Sequence, residues 1–159
     1  MSEATGEREV VVLGVGNELY RDEGVGVLVA RELGGQSLLA DVRVIEGAVG
    51  GLDLLWEMEN ARLVILVDAA DMGVPPGTIR VFSPDDVELL QKTKVASLHE
   101  IGLAEVLAFG KLIEICPEML IVGIQPETVA PGFELSEAVA EALPRAVQTV
   151  LGLLVPSPA

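Results

Sequence analysis

Val10-Val11-Val12-Leu13 is an unbroken aliphatic run that stops at Gly14-Val15-Gly16-Asn17. A strand with no polar member has to be covered on both faces, and among sheets that describes a central parallel strand flanked by helices. Glu9 to Val15 is therefore read as the first strand, entering a tight turn. Beyond it, Val25, Leu28, Val29 and Leu33 recur at helical spacing until Gly34-Gly35, with Asp22 in position to cap that helix.

The same alternation continues along the chain. Val42 to Ile45 reads as a second strand, Gly50 to Asn60 as a second helix and Leu63 to Val67 as a third, fully buried strand. A β-α-β-α-β order implies parallel strands joined by right-handed crossovers. Pro75-Pro76-Gly77 then turns the chain into Thr78 to Phe82, which is reached without a helix and is expected to be an antiparallel edge strand. Ser97-Leu98-His99-Glu100 has the capping-box form and should open a helix carrying Leu103, Val106 and Leu107. Met119 to Ile124 reads as the last strand. The final helix starts near Ser136, with Pro144 expected to kink or split it.

The expected fold is a single three-layer α/β domain over residues 1–159, with only 1–8 and 155–159 frayed. It has a mostly parallel, twisted sheet of about five strands, one antiparallel edge strand and helices on both faces. Aromatics make up only 3% of the chain, so Val, Leu, Ile and Ala have to fill the core.

Composition also narrows the chemistry. One histidine and one cysteine exclude an intrachain disulfide, a CxxC redox pair and any zinc site built from several cysteines or cysteine–histidine pairs. A net charge of -15 argues against nucleic acid as a partner and against anionic membrane surfaces. No segment has the roughly 18 uncharged apolar residues of a membrane span. The first residues lack the apolar stretch of a signal peptide, so the cytoplasm is the expected compartment.

Ligands of parallel α/β sheets bind beyond the carboxyl ends of the strands. Glu23 follows the first strand, Asp68 ends the third, and His99 lies in the first turn of its own helix, so all three can face one crevice. The positive end of a helix dipole favours a carboxylate at Glu23 and a neutral imidazole at His99, the metal-binding form. Two carboxylates and an imidazole suit a borderline divalent ion such as nickel, zinc or iron and leave coordination positions open. Cys116 precedes the last strand, at the opposite edge, and is read as a small residue without a catalytic part. A dinucleotide site is disfavoured, since Leu19 stands where G-x-G-x-x-G needs its third glycine.

The segment Gly14-Val15-Gly16-Asn17-Glu18-Leu19-Tyr20-Arg21-Asp22-Glu23-Gly24-Val25-Gly26 resembles the G-x-G-N-x-L-x-x-D-[DE]-G-x-G signature of hydrogenase maturation endopeptidases. The likeness continues through Glu46-Gly47, Leu66-Val67-Asp68-Ala69, Pro76-Gly77-Thr78, Ser97-Leu98-His99 and Val122-Gly123-Ile124-Gln125-Pro126-Glu127. Leu98, where many members have proline, and Ala48-Val49, in place of Gly-Thr, depart from it.

The resemblance implies an aspartic-type endopeptidase that trims the C-terminal extension from a nickel–iron hydrogenase large-subunit precursor. Glu23, Asp68 and His99 fall at the family's metal-contacting positions. The nickel is expected to arrive with the substrate, although zinc or cadmium could fill the site of the isolated protein. The protein is expected to act as a monomer, without membrane insertion. Two ways of cutting the bond stay open: the metal or a metal-bound water acts on the scissile carbonyl, or Asp68 or Glu23 serves as general base. Asn17 and the glycine turn at Gly16 are candidates for holding the substrate backbone or an oxyanion. The alternative is a non-catalytic nickel-sensing or chaperone module for the same precursor.

Overall fold

The structure is a computed structural model that describes residues 9–36, 41–48, 53–84, 94–95 and 103–155. In chain order its elements are β1 (Glu9–Val15), a 3-10 turn (Arg21–Gly24), α1 (Val25–Gly34), β2 (Val42–Ala48), α2 (Asp53–Met58), β3 (Ala61–Asp71), β4 (Ile79–Phe82), β5 (Lys94–Val95), α3 (Leu103–Leu112), β6 (Glu118–Ile124) and α4 (Glu137–Leu154). The sheet order is β2-β1-β3-β6-β4, with β5 paired to the end of β3. β2, β1, β3 and β6 are mutually parallel, and β4 runs antiparallel to β6 at the edge. This is the layered α/β arrangement expected from the sequence.

The strict alternation of strand side chains sorts the core into two layers. Val10 and Val12 of β1 and Ile65 and Val67 of β3 pack with α1 and α4 on one face. Val11 and Leu13 of β1 and Val64 and Leu66 of β3 pack on the other face with Leu54, Leu55 and Met58 of α2, and Leu107 of α3 lies against that layer. β1 and β3 are buried on both sides, which is why their sequences read as continuous apolar runs.

Three expectations are corrected. β3 extends to Asp71, past the Val67 limit set by its apolar run, because its last residues pair with β6 and β5. α4 runs unbroken through Pro144, so of the kink or split expected there the split does not occur. Val139 and Ala142 before the proline, and Ala146, Val147 and Val150 after it, are all buried, so packing on the sheet offsets the lost backbone hydrogen bond. Asp22 does not cap α1. The residue at that cap is Gly24, with no side-chain cap bond, and Asp22 is engaged elsewhere. The capping box at Ser97–Glu100 lies outside the described residues.

Candidate active site

The turn after β1 is held by its own sequence. The Asn17 side chain accepts a hydrogen bond from the Leu19 N–H at 3.0 Å, forming an Asx turn, and the Asn17 N–H donates to the Glu23 carbonyl at 3.2 Å. Gly16 lies against that same carbonyl, and a Cβ there would collide with the Glu23 oxygen. Asn17 and Gly16, the candidate substrate-contacting residues, thus both shape the segment that carries Glu23. Asn17 remains exposed beside it.

Gly26, at the start of α1, sets the depth of this turn. A Cβ at Gly26 would run into the backbone oxygens of Val67 and Val15, so only glycine lets the helix start seat against β3 and β1. Glu23 lies three residues before that contact, and Asp68 is the residue after Val67. The 3-10 turn packs against β3, bringing both acids to the carboxyl end of the sheet. Both are buried, Glu23 at 7% exposure and Asp68 at 1%. The Asp68 carboxylate accepts the Ala69 N–H at 2.8 Å. By strand alternation Asp68 shares the side of β3 that carries Val64 and Leu66, the side covered by α2 and α3.

Asp22 organises the loops at this edge of the sheet, a role its sequence position did not reveal. Fully buried, its carboxylate accepts the Ser136 N–H at 2.7 Å, the Ser136 hydroxyl at 2.8 Å, and the N–H groups of Glu127 at 2.9 Å and Thr128 at 3.0 Å. Burial, the largest single influence, pushes the Asp22 carboxyl up. The hydrogen bonds from Thr128, Ser136 and Glu127 outweigh it together and hold the group below its ordinary value. Backbone bonds extend the seam: Asp22 N–H to the Thr128 carbonyl, Arg21 N–H to the Gly132 carbonyl, and Gly132 N–H to the Leu19 carbonyl. The loop after β6 is thereby sewn to the turn after β1 across the end of the intervening β3. The available sequence signals were a serine in a helix-capping position and an acid next to Glu23. Neither signals a pairing across more than 100 residues.

Outside the crevice, Arg31 of α1 reaches Glu18 with two bonds, at 2.9 and 3.1 Å, and Glu46 of β2 at 3.3 Å. Its guanidinium is made still more basic, first by the hydrogen bond to Glu18 and then by that to Glu46. Gln125, buried after β6, accepts the Met72 N–H at 2.7 Å and donates to Asp71 at 3.3 Å, fixing the end of β3. Cys116 is exposed just before β6, at the opposite edge of the sheet from Glu23 and Asp68.

His99 lies outside the described residues. Among the described residues no three His, Cys, Asp or Glu side chains form a group able to hold a metal ion. Glu23 and Asp68 are two oxygen donors, which by chemistry suit a divalent ion but leave most of its coordination to other ligands.

A parallel sheet covered on both faces carries two buried acids, Glu23 and Asp68, at its carboxyl edge, with a sewn pair of loops beside them. The family model described as hydrogenase maturation protease matches residues 27–153, and the chain belongs to that family of peptidases. It is 42% identical over 119 residues to the hydrogenase expression/formation protein HupD of Rhodobacter capsulatus, covering 74% of this chain but 57% of that protein. It is 34% identical over 148 residues to the hydrogenase 2 maturation protease of Escherichia coli, covering 91% of this chain and 90% of that one. In three dimensions it is similar to the hydrogenase maturating endopeptidase HybD of Escherichia coli, with a TM-score of 0.81, 31% identity and coverage of 92% and 91%. Among the described residues no helix is long and apolar enough to cross a membrane.

Proposed function

We propose that the protein is an endopeptidase that removes the C-terminal extension of a nickel–iron hydrogenase large-subunit precursor after nickel has been inserted. The observation that carries the reading is the pair of buried acids, Glu23 and Asp68, brought to one edge of the sheet in a chain of the hydrogenase maturation protease family. In this reading the nickel is part of the substrate. Glu23 and Asp68, with His99 as the nitrogen donor, contact it in the crevice, and the precursor's own ligands complete its coordination. A precursor without nickel then lacks the contact that orients its cleavage segment.

Asp68 is the general base of this scheme. It takes a proton from water as the water oxygen adds to the scissile carbonyl, and returns it to the leaving amine nitrogen. Substrate-borne nickel contributes by polarising oxygen atoms within its reach. Asn17 and the backbone N–H groups near Gly16 bind the substrate backbone. The protein acts as a monomer in the cytoplasm.

The test is incubation with a purified, nickel-loaded precursor followed by mass spectrometry. Loss of the C-terminal peptide from the loaded precursor alone is the expected result. Nickel-dependent complex formation without a mass change would instead indicate a chaperone or sensor module. His99→Ala should abolish processing while the thermal melt keeps its cooperative shape. Normal cleavage by that variant would remove His99 from the site.

A further inference from the structure

The two sewn loops carry apolar side chains that the fold does not bury. Phe133 is 81% exposed, Leu19 57%, Val129 46% and Tyr20 41%. Loop tips are ordinarily polar, and a concentration of large apolar groups on them marks a contact surface. Leu19 and Tyr20 sit on hydrogen-bonded backbone, and Val129 and Phe133 directly follow the bonded residues Thr128 and Gly132. Tyr20 forms a bridge with Gly132, the Gly132 N–H donates to the Leu19 carbonyl at 2.8 Å, and Asp22 ties both loops from below. A partner docking here meets a surface that needs no further ordering.

Charge specifies what kind of partner fits. Glu127, Glu134 and Glu137 on or beside the same loops are exposed acids. Arg21, the cation of these loops, donates to the Glu134 carbonyl at 2.9 Å, and Arg31 is engaged by Glu18 and Glu46. An apolar surface bordered by carboxylates complements a segment that alternates apolar residues with lysine or arginine. The rim is close in the chain to the candidate site: Tyr20 and Glu23 belong to one turn, in which the Glu23 N–H donates to the Tyr20 carbonyl at 3.1 Å.

We propose that Leu19, Tyr20, Val129 and Phe133 form a docking rim that grips an apolar and basic segment of the polypeptide whose scissile bond enters the Glu23–Asp68 crevice. The inference rests on the protease reading and names the part of the substrate that the site recognises apart from its metal. Because the rim binds ground and transition states alike, its loss raises KM and leaves kcat.

Steady-state processing of nickel-loaded precursor should be compared for the wild type, the double variant Leu19→Ser/Phe133→Ser and a control, Trp56→Ser. Trp56 is 67% exposed on α2, an element outside the two sewn loops. The expected result is a KM raised about tenfold or more in the double variant at near-constant kcat, and an unchanged control. Wild-type KM should also rise between about 0.05 and 0.5 M NaCl as the carboxylates are screened. An unchanged KM in the double variant, an equal loss in the control, or a fall in kcat alone would overturn the rim. Should the wild type leave the precursor uncut, the protease reading fails separately. The rim is then judged by precursor binding, where equal Kd for wild type and double variant overturns it.

Discussion

The turn after β1 is tied down from two sides, by Asp22 on the inside and by the Arg31 cluster on the outside. Asp22 is wholly buried and satisfied by four donors from Glu127, Thr128 and Ser136, whereas Arg31 stands about half exposed between Glu18 and Glu46. The two sets look alike as lists of bonds but differ in what replaces them when they break. Water takes over at Arg31 at little cost. At Asp22 removal of the carboxylate leaves buried N–H groups with nothing to donate to. The residue that fixes the two loops is therefore the neighbour of Glu23 and has no proposed part in the chemistry.

Replacing Asp22 is the most severe way to test this difference. Asp22→Ala strands three backbone N–H groups and one hydroxyl and should cost about 4 kcal/mol, lowering Tm by roughly 8–16 °C for a domain of this size. Asp22→Asn keeps one acceptor but turns an NH2 toward donors, and should cost about 2 kcal/mol. Differential scanning calorimetry decides. A cost for Asp22→Ala no greater than that for Arg31→Ala would erase the distinction between the two tethers. Processing should fall in both Asp22 variants, because Glu23 and the loop after β6 lose their common anchor.

Acid titration sharpens the comparison with a smaller effect. The native Asp22 carboxyl lies below its ordinary value, so the unfolded chain binds the proton first as pH falls. The stability it provides is complete above about pH 4, the range of an unperturbed aspartate, and drains away as pH drops through the lower native value. Urea unfolding of wild type and Asp22→Asn should show a constant gap from about pH 5 to 7 that narrows below pH 4. A gap that widens toward acid would mean that burial outweighs the hydrogen bonds at Asp22.

The same contrast separates what was legible in the sequence from what was not. Periodicity exposed the sheet because burial on both faces leaves a local mark, as in Val10–Leu13 and Leu63–Val67. The placement of Glu23 and Asp68 at the carboxyl edge was legible because both follow apolar strands, and strand ends converge in a parallel sheet. The partners of Asp22 were invisible, since a carboxylate before a helix looks the same whether it caps that helix or binds a loop over 100 residues away. The end of β3 is hidden in the sequence for a related reason. Asp68 and Asp71 interrupt the apolar run, but neighbouring strands continue the pairing past them.

The smallest expected effect lies at the outer tether. Hydrogen bonds from Arg31 hold the Glu18 carboxyl below the ordinary range, against a weaker opposing push from partial burial. Arg31→Ala should let Glu18 titrate closer to an unperturbed glutamate, visible by NMR, while Tm moves by no more than about 2 °C. The shift in Glu18 proves that the bond existed, and the small change in Tm shows that water replaces it. A Tm loss approaching that of Asp22→Ala would mean that Glu18 and Glu46 anchor the turn as firmly as the buried seam. The crevice would then depend on the ion pairs around α1 and become salt-sensitive, which a melt in about 0.5 M NaCl would reveal.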